Sequence, residues 1–113
     1  MLLTLRSTGV EVDASLRDHI ERRLTYALSR FGARVNRVTV YLADRNGPKG
    51  GIDKSCRIVV RLRGLGEIVS IVDDTDWTVA VDRAATRIGH SVSRELERKR
   101  DIRHEPSIES RLA

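Results

Sequence analysis

The chain has 113 residues, 40% hydrophobic and 4% aromatic, with 21 basic residues against 16 acidic ones and a net charge of +5. That length fits one domain with a modest, aliphatic core. A single cysteine, Cys56, excludes an intramolecular disulfide and fits a reducing cytoplasm.

Leu2 to Arg6 reads as a short strand. Asp13 or Ser15 is placed to cap a helix whose apolar face is Leu16, Ile20, Leu24, Ala27, Leu28 and Phe31, with Gly32 at its stop. Val38, Val40 and Leu42 alternate with Arg37, Thr39 and Tyr41, the pattern of a half-buried strand. The stretch from Asp44 to Gly51 reads as a turn region. Cys56, Ile58, Val60 and Leu62 alternate with Arg57, Val59, Arg61 and Arg63 in a second such strand. Gly64-Leu65-Gly66 then predicts a hairpin into Glu67–Val72. Thr75 or Asp76 opens a long helix over residues 76–100, and Pro106 lies just beyond it. Residues 1–103 are expected to form the domain and 104–113 a short polar tail. The order β-α-β-β-β-α predicts an α+β fold, with two helices on one face of a four-stranded, mostly antiparallel sheet.

The start of the chain lacks the basic and apolar regions of a signal peptide, and no apolar run approaches the ~18 residues of a membrane span. No membrane partner is therefore expected. The positive balance suits a polyanion instead. Of the basic residues 18 are Arg and 3 are Lys. A GC-rich coding sequence would also give that ratio, but it would not align the arginines.

They are aligned on the last helix. Arg83, Arg87, His90, Arg94 and Arg98 are spaced 4, 3, 4 and 4, and at about 100° per residue they share an arc of roughly 80°. Beside them runs an apolar stripe of Trp77, Val81, Ala84, Ala85, Ile88 and Val92. One flank is built to pack and the next to meet negative charge. On the first helix His19, Arg22, Arg23, Tyr26 and Arg30 cluster in the same way, so the two flanks are candidates to border one basic groove. Arg matches phosphate bidentately, and structured RNA is read mainly through shape, phosphate and 2′-OH. The plainer alternative is a solvated helix face with internal pairs of Glu95 and Glu97 with Arg94 and Arg98, worth only about 0.3–0.5 kcal/mol each.

Arg37, Arg57, Arg61 and Arg63 fall on the open side of the sheet. They read first as outward polar residues that keep the sheet soluble, without the exposed aromatics of a stacking RNA platform. Signals for catalysis are weak. His19, His90 and His104 are far apart, and no metal-ligand spacing is present. Asp73-Asp74-x-Asp76 lacks the glycine and terminal glutamate of a calcium loop. Cys56 is in phase with core residues and reads as one. No catalytic residue, metal, cofactor or small-molecule substrate is expected. A general RNA-binding module, a regulator-interacting protein and a domain that docks an acidic protein all remain compatible with these patterns.

Several segments carry a family resemblance. Gly9-Val10-Glu11-Val12 with Ala14–Ile20, then Leu28–Phe31, Val35–Leu42, Gly66-Glu67-Ile68, Asp76–Asp82 and Arg94–Arg103 follow one another in the order and spacing of the bacterial ribosome hibernation factors. That family comprises hibernation-promoting factor and ribosome-associated inhibitor A, formerly called sigma-54 modulation proteins. The resemblance covers about residues 1–103. It implies the same element order, similar to double-stranded RNA-binding domains, and no enzymatic activity. It also implies a site on the small ribosomal subunit, in the channel used by mRNA and tRNA, where occupancy blocks translation and keeps ribosomes idle under stress. The family's basic positions on the last helix fall on Arg87, His90 and Arg94, with Arg98 one turn further. Trp77-Thr78 replaces the family's tyrosine at the helix opening. His90 stands where a fixed cation is usual, which implies a weaker or pH-dependent contact there. The chain resembles the short form, for which ribosome dimerisation is not implied; the sequence leaves open whether the protein itself forms a homodimer.

Overall fold

The structure, a computed structural model, describes the backbone of residues 1–44 and 53–112, and side chains as far as Arg100. Among the described residues seven elements follow one another: β1 (Leu2–Thr8), α1 (Ala14–Leu28), a 3₁₀ segment (Ser29–Arg34), β2 (Val35–Asp44), β3 (Lys54–Leu62), β4 (Gly66–Asp74) and α2 (Trp77–Leu112). The expected element order and α+β class are those of the structure. Most of the turn region expected after Asp44 lies outside the described residues.

The four strands form one sheet in the order β1-β2-β3-β4. β1 runs parallel to β2, and the other two pairs are antiparallel. A parallel pair needs a crossover, and α1 supplies it. The β3–β4 hairpin turns through Gly64 and Gly66, whose φ of 74° and 84° lie in the left-handed region that glycine occupies without strain.

Caps settle the two open choices at the helix starts. Asp13, not Ser15, receives the backbone N–H of Leu16 at 2.8 Å. Asp76, not Thr75, receives that of Val79 at 3.1 Å. α1 gives way at Leu28 to the 3₁₀ turn, inside which Gly32 leaves helical geometry at φ 56°.

The far end of α2 differs from expectation. Its backbone stays helical to Leu112, so the 76–100 span is too short. The expected stop rested on Pro106, which has no N–H and crowds the carbonyl one turn back, at a cost of about 3 kcal/mol. The flanking Arg98-Lys99-Arg100 and Glu109-Ser110-Arg111-Leu112 are rich in residues that lose little freedom in a helix, and the helix continues through the interruption.

Both helices lie on one face of the sheet. Ile20, Leu24 and Leu28 from α1 and Ala80, Val81, Ala84, Ala85, Ile88 and Val92 from α2 meet the inward residues Val38, Val40, Leu42, Cys56, Ile58, Val60, Leu62 and Val72. Trp77 packs partly buried at the edge of this core, as an anchor for the start of α2. Cys56 is fully buried, and desolvation pushes its thiol up to about 12. The buried Ser70 hydroxyl is satisfied by the Ala84 carbonyl at 3.3 Å. With the stripe predicted on α2 thus buried, the basic flank beside it faces solvent.

Candidate nucleic-acid interface

Arg83, Arg87, His90, Arg94 and Arg98 are all exposed along the outer ridge of α2, over about 22 Å at 1.5 Å per residue. Their contacts divide them. Arg83 Nη1 lies 2.9 Å from Asp74 Oδ2. That guanidinium, helped by the Thr75 N–H, holds the Asp74 carboxyl below the usual carboxylate range. Arg87 Nη1 donates to the Ile71 carbonyl at 3.3 Å. Both side chains thus lean over β4, at the open edge of the sheet. Of the internal pairs the sequence suggested, Arg98 with Glu95 is formed, at 2.7 Å. Arg94 makes only a 3.4 Å contact to Ser91 Oγ. Arg94 and Arg98 border a shallow hollow whose other wall is Leu65, Glu67 and Ile68. Exposed pairs of this kind are worth about 0–1 kcal/mol, so an incoming phosphate competes with them readily.

The α1 flank is arranged differently. His19 Nε2 and Arg23 Nε both reach Asp82 Oδ1, at 2.7 and 3.0 Å. Arg23 Nη2 also donates to the Asp82 carbonyl and to Thr86 Oγ1, at 3.1 and 3.0 Å. Arg23 is therefore half-buried in a clasp between the helices. Arg30 stacks on Phe31, 4.8 Å from the ring centroid, and donates to the Gly89 carbonyl at 3.4 Å. Arg22 is exposed and has no polar partner among the described residues.

Between the helices lies an open groove of about 310 Å³ walled by Arg23, Tyr26, Arg30, Thr86 and His90. Tyr26 is 82% exposed there. Gly89 forms its floor: a Cβ at that position would stand 3.3 Å from the Ala27 carbonyl oxygen, so glycine lets the helices close up. The expectation that the two basic flanks border a single groove needs correcting. Only His90 of the α2 row lines this groove; the four arginines sit on the ridge or toward β4. The row spans an arc, and the packing of α1 meets only one edge of it.

Asp82 escaped the sequence reading as a site residue. Its partners His19 and Arg23 are 63 and 59 positions away, so no local spacing signals the contact. Tyr41 lies on the open face of the sheet as its alternation predicts, half-buried, with the Arg57 guanidinium 4.1 Å from its ring centroid.

Two helices covering one face of a small mixed sheet, with a cationic ridge on the outer helix, define an α+β module with a surface suited to a polyanion. The family profile described as Sigma 54 modulation protein / S30EA ribosomal protein matches residues 3–100, and the chain belongs to that family of ribosome-associated hibernation and modulation factors. Among solved structures it is similar to a ribosomal subunit interface protein from Coxiella burnetii. The TM-score is 0.71 at 18% identity over 83% of this chain and 96% of that one, a likeness of fold alone. It is also similar to the N-terminal domain of Protein Y from Thermus thermophilus. That TM-score is 0.69 at 25% identity, over 83% of this chain and 98% of that one. No curated protein sequence matches the chain. Among the described residues no helix is long and apolar enough to cross a membrane.

Proposed function

We propose that this protein is a cytoplasmic translation inhibitor that binds the small ribosomal subunit, occupies the channel used by mRNA and tRNA, and keeps ribosomes idle under stress. The observation that carries the reading is the exposed α2 ridge, Arg83 to Arg98, in a chain of a ribosome-associated family. Arg22, Arg23, Arg30, Arg83, Arg87, Arg94 and Arg98, with His90, would engage rRNA phosphates. Each guanidinium offers two parallel N–H donors to a phosphate, and each contact releases a condensed counterion. Arg94 and Arg22 are the most available for this, because among the described residues Arg22 has no polar partner and Arg94 only the 3.4 Å contact to Ser91. Arg83, Arg87 and Arg98 would exchange weak intramolecular contacts for phosphate.

The mechanism is occupancy. A rigid domain seated on rRNA excludes mRNA and the anticodon ends of tRNA by volume, and needs no bond to be made or broken. The test is mRNA-dependent tRNA binding to purified small subunits, read by filter retention. Saturating protein should reduce retained tRNA to background. Full tRNA retention on subunits that demonstrably carry the protein would contradict the channel as its site.

A further inference from the structure

The open face of the sheet, opposite the helices, has a charge distribution that packing does not account for. Cross-strand register places Arg6, Tyr41, Arg57 and Ile71 in one row. Leu2, Arg37, Arg61 and Glu67 form another. Arg37 and Arg61 are direct neighbours across β2 and β3, a like-charge pairing that costs stability in an isolated sheet. Glu67 relieves Arg61 in part, at 3.9 Å. Arg6, Arg37 and Arg57 have no carboxylate partner among the described residues. The sequence from 45 to 52, Arg-Asn-Gly-Pro-Lys-Gly-Gly-Ile, contains no acid either. The face's acidic residues, Glu67 and Asp73, both belong to β4. Its free cations therefore stand over β1, β2 and β3.

An aromatic sits in the middle of this patch. Arg6 and Arg57 flank Tyr41 on the two neighbouring strands, and Arg57 covers its ring at 4.1 Å. Val69 and Ile71 beside them are 49% and 51% exposed. Flat stacking surface, exposed aliphatics and unpaired guanidiniums on one sheet are what an unpaired RNA strand requires: bases stack on the planar groups and phosphates meet the forks. A duplex keeps its bases stacked on one another and would use only the charges.

We propose that this sheet face is a second RNA-contact site, distinct from the helical ridge, and that its ligand is single-stranded RNA. Arg57 and Tyr41 form the stacking platform, and Arg6 and Arg37 hold the backbone. With cationic surfaces on both sides, one small domain would bridge two RNA segments. The inference stands on the sheet alone and does not depend on where the helices dock.

The experiment is fluorescence anisotropy of the full chain with a labelled RNA of about ten unstructured nucleotides at low salt. The sheet variant Arg6→Glu/Arg57→Glu is compared with a charge-matched control at exposed positions away from both surfaces, Arg17→Glu/Arg34→Glu, and with a helix variant, Arg94→Glu/Arg98→Glu, after circular dichroism and melting show all three folded. The sheet variant should bind roughly tenfold or more weakly than wild type and more weakly than the helix variant, while the control stays within about threefold of wild type. Tyr41→Phe should keep the affinity and Tyr41→Leu lose it. If Tyr41→Leu does not fold, Arg37→Glu, at an exposed position, replaces it and should also weaken binding. Wild-type affinity in the sheet variant, or equal competition by a polyglutamate peptide of matched charge, would overturn the proposal. So would single-strand binding that only the helix variant loses.

Discussion

His19 Nε2 and Asp82 Oδ1 lie 2.7 Å apart and join α1 to α2 across the solvent-facing side of their contact. Arg23 reaches the same oxygen at 3.0 Å. Two of the basic residues on the first helix thereby tie the helices together, and the interhelical groove takes its shape from that clasp.

Asp82→Ala should cost about 1 kcal/mol of stability, since it removes a partly exposed charged hub that serves two side chains. Urea unfolding measures this directly. Glu95→Ala, which removes only the exposed pair with Arg98, should change the unfolding free energy by less than about 0.5 kcal/mol. Equal effects of the two substitutions would mean that the clasp is no more than a surface pair.

The Arg83–Asp74 pair links stability to acid. The Asp74 carboxyl is held below its ordinary value, chiefly by the Arg83 guanidinium. Its contribution is present above the unfolded carboxylate range and is lost as pH falls through the lower folded value. Asp74→Asn should therefore remove part of the acid-side loss of Tm. It also releases Arg83 and deletes a carboxylate beside the ridge, so small-subunit affinity should rise roughly two- to fivefold. Weaker subunit binding by Asp74→Asn would show that Asp74 positions Arg83 for its ligand.

Cys56 is fully buried with its thiol pushed up to about 12. The native protein should resist iodoacetamide at a pH where the urea-unfolded chain reacts within minutes, because the thiolate is the nucleophile. The sign of the linkage is opposite to that of Asp74. The stabilisation is present below the unfolded thiol value near 9.0 and is lost as pH rises toward 12. Fast alkylation of folded protein would contradict a core role for Cys56.

Much of the fold is legible from periodicity because burial imposes it. The alternation around Val38–Leu42 and Cys56–Leu62 and the apolar stripe from Trp77 to Val92 all point into the observed core. The interface was legible in kind but not in detail. Spacing places Arg83 to Arg98 on one ridge, yet it cannot tell that Arg83 finds Asp74 on β4 or that Arg87 finds the Ile71 carbonyl. Those contacts depend on which side of α2 meets the sheet edge. The Asp82 clasp and the Arg57–Tyr41 stack are likewise products of tertiary contact and strand register. The extent of α2 was misjudged because Pro106 is a strong local stop, and here the helical backbone passes through it.

Co-sedimentation with purified small subunits through a sucrose gradient tests the central claim most directly, comparing wild type with Arg87→Glu/Arg94→Glu. Wild-type protein should travel with the subunit and leave it as salt rises, with a log–log slope of roughly −0.7 to −0.9 per phosphate contact. The double variant, folded by circular dichroism, should remain at the top of the gradient. Undiminished co-sedimentation of that variant would contradict the assignment of the α2 ridge as the ribosome-binding surface.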